Sequence, residues 1–106
     1  MPDDPQTLAL QGLALAYLGR HAEAAQHIER ARRIHPPVAR RNLGRYILEV
    51  HARIHTLAGR RAAAVDLLDE ILRQPYHITP AWLRVDPAFA TLRGDPRFER
   101  LVEGRM

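Results

Sequence analysis

Gly19-Arg20-His21-Ala22-Glu23-Ala24 returns forty positions later as Gly59-Arg60-Arg61-Ala62-Ala63-Ala64. Each copy joins two stretches with helical character. Before the first glycine, Asp4-Pro5 has the form of an N-cap with proline at the first helical position, and residues 4–18 are rich in Ala and Leu. Gly19 ends that stretch as a C-cap, and a second helix is expected over residues 21–34, with Ala24, Ile28 and Ala31 on one face. Pro36-Pro37 stops it. A third helix is expected over 38–58, closing on Gly59, and a fourth over 61–73, with Ala64, Leu67, Leu68, Ile71 and Leu72 as its apolar face. The order is helix, Gly, helix, Pro, and then the same again.

Residues 77–106 follow a different pattern. Thr79-Pro80, Asp86-Pro87 and Asp95-Pro96 are three successive cap-plus-proline starts, so three short helical pieces are expected. They carry Trp82, Leu83, Phe89, Leu92, Phe98, Leu101 and Val102, and Trp82 is expected to be a buried core residue.

The repeat resembles the tetratricopeptide family, an antiparallel helix pair of about 34 residues. In the first unit Gly12, Gly19, Ala24, Ala31 and Pro36 fall on the family's small-residue and proline positions, and Leu8, Leu15 and Ile28 on its large apolar ones. In the second unit Ala52, Gly59, Ala64 and Leu68 match. There His51 and His55 stand where an aliphatic and an aromatic residue are usual, and Ile71 replaces a small alanine. The longer spacing places about six extra residues around 36–42. The run from Leu83 to Phe98 resembles the tail that closes repeat arrays at the C-terminal end of large bacterial multidomain regulatory proteins, among them protein kinases, adenylate cyclases and transcriptional regulators. The resemblance implies an all-α solenoid fragment forming a single domain over 1–106: repeat 1 at 4–36, a degenerate and elongated repeat 2 at 37–76, and a helical cap at 77–106. The cap would cover the open apolar face of the last repeat. Two units fall below the three usually needed for a stable array, so the chain is expected to be the end of something longer or to be covered by another copy of itself. The first helix points the same way. Leu8, Leu10, Leu13, Leu15, Tyr17 and Leu18 surround it, as in helices buried on more than one side.

Composition narrows the function classes. The 106 residues include no Cys, which excludes disulfides, thiolate metal sites and Cys nucleophiles. Ser is also absent, so no Ser-His-Asp triad or G-x-S-x-G elbow can be written. No apolar run reaches the ~18–20 residues that span a bilayer, and no signal-peptide pattern opens the chain; a cytoplasmic setting without membrane contact is expected. The net charge is +4, and all sixteen basic residues are Arg.

Three constellations could carry function. His51 and His55, four apart on one helix face, have the spacing of a metal pair, but zinc needs a further ligand and no Glu lies between them. They are expected to be packed or hydrogen-bonded instead, as are His21, His27, His35 and His77. Asp66, Asp69 and Glu70 read as a solvated acidic face paired with Arg73. Arg30, Arg32, Arg33, Arg40, Arg41 and Arg45 cluster around the junction of the repeats and suit a nucleic acid or an acidic segment. Only Tyr46 is interleaved, which disfavours stacking on single strands.

By the resemblance, the groove-facing positions are Gln6, Ala9, Leu13, Ala16 and Tyr17, then Tyr46, Glu49, Arg53, Thr56 and Leu57. The chaperone-binding members' Lys and Asn clamp is not carried over, since those positions are Ala9 and Leu13. The expectation is therefore a non-catalytic scaffold with no cofactor or metal, contacting a protein or peptide partner or a second copy of itself. Leu10, Leu13 and Tyr17 form its self-association surface. The competing class is a basic module that uses the Arg30–Arg45 cluster.

Overall fold

A computed structural model describes residues 4–34, 41–73 and 76–103, with the side chains of Arg41 and Asn42 outside the description. Every regular element in those residues is helical. Two helical hairpins, α1 (Pro5–Tyr17) with α2 (His21–Ile34) and α3 (Arg41–Leu57) with α4 (Arg61–Leu72), are followed by α5 (Pro80–Val85), a 3₁₀ helix (Pro87–Leu92) and α6 (Pro96–Val102). The expected Pro36-Pro37 stop and the expected start of the third helix at Val38 lie outside the described residues.

The two hairpin turns are built alike. Gly19 and Gly59 adopt φ of 80° and 77°, the left-handed region that glycine enters without a Cβ penalty. Arg20 N–H donates to the Leu15 carbonyl and Gly19 N–H to that of Ala16, the paired bonds of a Schellman ending. Arg60 to His55 and Gly59 to Thr56 repeat the pattern. The next helix starts in the same register, with Ala24 N–H bonded to Arg20 O and Ala64 N–H to Arg60 O. The glycine-led hexapeptides therefore encode one turn twice.

Helix packing depends on small residues. A Cβ at Gly12 would meet Ala24 O at 3.2 Å and the His27 Cβ at 3.3 Å, so α1 and α2 nearly touch at Gly12 and Ala24. Ala52 and Ala64, forty positions later, are both fully buried between α3 and α4.

The core has two parts, with α3 between them. Ile47, Val50 and Ile54 pack with Leu8, Ala9, Ala16, Ala24, Ile28 and Ala31 of the first hairpin. Ala52 packs with the α4 side chains and with Ile78, Leu83, Phe89, Leu92, Phe98, Leu101 and Val102. Each short C-terminal helix opens as expected, on a side-chain cap with proline behind it. Thr79 accepts from Trp82 N–H, Asp86 from Ala88 N–H, and Asp95 from Arg97 and Phe98 N–H. None of the helices among the described residues is long and apolar enough to cross a membrane.

One expectation about burial is corrected. Trp82 is 47% exposed, because Leu83 takes the inward position on the short helix and leaves the neighbouring indole at the surface. The first helix turns one side to the core among the described residues. Leu8, Ala9, Gly12 and Ala16 face the core, whereas Leu10, Tyr17 and Leu18 are 50%, 65% and 72% exposed.

Candidate functional site

The expected contact residues separate into two surfaces. The first lies on α1. Gln6, Leu10 and Tyr17 are exposed, and Leu13 is half-buried against the first core. Leu10 and Tyr17 are two turns apart, so they share a face, and Leu18 extends it. α2 and α3 cover one side of α1, and among the described residues Leu10 and Leu18 remain exposed on the other. Ala9 and Ala16, expected to face a groove, are buried in the hairpin core.

The second surface is a polar network joining α3 to the C-terminal helices. Arg53 donates to Glu49 Oε2 from Nε at 3.2 Å and from Nη2 at 2.8 Å, and Nη2 also reaches Asp86 Oδ2 at 3.1 Å. Its guanidinium lies 5.1 Å from the centre of the Phe89 ring, within cation–π range. Tyr76 donates to Glu49 Oε1 at 3.0 Å, and Trp82 Nε1–H donates to Asp86 Oδ2 at 3.0 Å. His77 lies tilted against Tyr76, with ring centres 4.1 Å apart, and meets Trp82 edge-on at 6.3 Å.

Charge follows from this geometry. Burial alone would lower Arg53, but the Glu49 hydrogen bond and the two carboxylates outweigh it and raise its pKa. Burial alone would raise Asp86, but the Ala88 N–H, the Arg53 cation and the Trp82 N–H hold it below the usual carboxylate range. Burial and the neighbouring Glu49 push the Tyr76 phenol up, so it remains a donor. The Tyr46 phenol is raised by burial and by Glu49. Glu49 and Arg53, expected as groove residues, therefore join α3 to Tyr76 and Asp86 of the C-terminal part, and Thr56 is buried with its hydroxyl on Ala52 O at 2.8 Å. Leu57 is exposed at the end of α3. Tyr76, Trp82 and Asp86 belong to this network and were not among the expected site residues. A carboxylate one turn after a tryptophan, at Trp82 and Asp86, was the available signal.

Of the histidines, His51 is buried and His55 half-buried on α3, whereas His77 is exposed. His51 and His55 stack with ring centres 4.5 Å apart, and His51 Nε2 lies 3.4 Å from Glu29 Oε1. Burial, His55 and the Arg32 and Arg60 cations lower His51 to about 3, and burial and Arg60 also lower His55. His27 Nδ1 meets Glu23 O at 2.9 Å, while His35 lies outside the described residues. No group of three or more metal-capable side chains forms among the described residues.

Of the acidic face, Asp69 pairs with Arg73 at 3.0 Å, and Asp66 pairs instead with Arg97 of α6. Of the arginine cluster, Arg30, Arg32 and Arg33 are exposed at the end of α2, with Arg32 Nη1 3.3 Å from His51 Nδ1. Arg45 is half-buried on α3, and Arg40 and the Arg41 side chain lie outside the description. Comparison with protein-family models, with curated proteins and with solved structures found no match.

Proposed function

We propose that this chain is a non-catalytic helical-repeat scaffold of the tetratricopeptide kind that makes protein–protein contacts through α1, by self-association or by holding a partner segment. The observation that carries the reading is the exposed apolar row Leu10, Tyr17 and Leu18 on a helix whose opposite side builds the core. Contiguous apolar surface of this kind marks interaction sites on folded proteins, and a tyrosine at its centre suits a contact with both apolar and polar character. The twice-built Gly19 and Gly59 hairpin and the small-residue contact at Gly12 support the repeat reading. The reading calls for no catalytic group, cofactor or metal, and goes with a cytoplasmic setting.

Light scattering on the purified chain over a wide concentration range, at two salt concentrations, tests it. A dimer or larger species that Leu10→Glu with Tyr17→Glu converts to monomer supports the α1 contact. A chain that stays monomeric and binds only polyanions, with affinity falling steeply as salt rises, refutes it in favour of the arginine-cluster reading.

A further inference from the structure

The seam between the two hairpins runs along α3, whose Ile47, Val50 and Ile54 belong to the core of α1 and α2, while Ala52 belongs to the core of α4 and the C-terminal helices. His51 lies on this seam, 5% exposed, and both of its ring nitrogens are engaged from α2. Arg32 Nη1 stands 3.3 Å from Nδ1, and Glu29 Oε1 stands 3.4 Å from Nε2. A guanidinium only donates, so Nδ1 accepts and the single proton of a neutral ring sits on Nε2, facing Glu29. A second proton could go only to Nδ1, where its N–H would point at another N–H. Among the described residues the groups facing the ring are Glu29 and Arg32 from α2, His55 stacked on its own helix, and Arg60 from the turn between α3 and α4. Two cations and a second imidazole oppose a charge on His51, and the one carboxylate is half-exposed and screened by water.

We propose that His51, stacked on His55, is an acid-sensitive latch between the hairpins: as neutral rings they hold α2 against α3, and protonation releases α1 and α2 from the rest of the chain. The sign follows from linkage. In the closed chain His51 takes up its proton only at about 3, against the ordinary 6.5 once the seam opens and the ring is solvated. The open form therefore binds more protons throughout that interval. The latch is at full strength above pH 6.5, weakens as pH falls, and stops weakening near 3. His51 alone makes opening about thirty-fold more frequent at pH 5.0 than at pH 7.5. The second core stays closed because its side chains come from α3, α4 and the C-terminal helices, without α1 or α2.

Amide hydrogen exchange on the full chain, corrected for the intrinsic pH dependence, reads the opening of each helix. The expected result between pH 7.5 and 5.0 is a rise of about thirty-fold in opening across α1 and α2, a much smaller rise in α4 and α6, and a dependence below about three-fold in His51→Phe. Equal loss of protection in all helices, or no change in α1 and α2, overturns the latch. In the wild-type chain the His51 ring resonance should show no titration down to about pH 4. A midpoint near 6.5 in the folded chain overturns the latch even if His51→Phe fails to fold.

Discussion

Replacing Asp86 with alanine should cost about 3 kcal/mol, a figure assembled from three bonds made by one carboxylate. Asp86 is 8% exposed, caps the 3₁₀ helix through Ala88 N–H at 3.0 Å, and receives Trp82 Nε1–H and Arg53 Nη2. Loss of an N-cap costs about 1 kcal/mol. Removing one partner of a fully buried ion pair costs about 3–5 kcal/mol, but Arg53 keeps Glu49 and some access to water, which brings that part down to about 1–2. The Trp82 N–H, on a half-exposed ring, regains water and adds about 0.5. Urea unfolding followed by circular dichroism should show a lower midpoint with an unchanged slope, and Tm should fall by roughly 12–24 °C.

A cycle of Asp86→Ala with Arg53→Met should give a coupling of about 1 kcal/mol, since the two side chains touch. Because the folded-state pKa of Asp86 lies below its ordinary 3.8, its contribution is fully present above 3.8 and is lost as pH falls from there through the lower folded-state value. The stability gap between wild type and Asp86→Asn should therefore begin to narrow below about pH 4 and keep narrowing as pH falls further. A loss under about 0.5 kcal/mol for Asp86→Ala, or a coupling near zero, would refute the view that this network holds the C-terminal helices to α3.

Trp82→Phe should cost about 1 kcal/mol in the same urea assay, well short of the ~3–5 for truncating a buried aromatic, because the ring is half-exposed and only its N–H bond is lost. Gly19→Ala and Gly59→Ala should each cost about 1–2 kcal/mol by thermal melting. The two costs should be nearly equal, since both glycines sit at positive φ with nothing within 4 Å of a new Cβ. Ala24→Arg should abolish the cooperative unfolding transition, because the Ala24 side chain is fully buried where α2 approaches Gly12 of α1; a normal transition would refute the close packing.

The helix boundaries were legible because their signals are local. Asp4-Pro5, Thr79-Pro80, Asp86-Pro87 and Asp95-Pro96 cap the helices they precede, and Gly19 and Gly59 end theirs, since capping is settled within one turn of chain. The inward face of α2 was legible from period alone, and so was most of that of α4, where Val65 is buried as well and Leu72 only half-buried. Trp82 was misplaced for a related reason. On a helix of only six residues, apolar character does not say which of two adjacent side chains, Trp82 or Leu83, takes the interior.

Sequence alone determined an all-helical chain, its hairpin turns and the residues on its close-packed seams, all of which depend on contacts a few positions apart. Tertiary structure decided the rest. It placed Arg53 between Glu49 and Asp86, thirty-three residues further on, set His51 against Glu29 and Arg32, and left Leu10 and Tyr17 facing outward. Those outcomes depend on how rigid helices are arranged in space, and a polar or apolar side chain finds its partner, or none, only after that packing has formed.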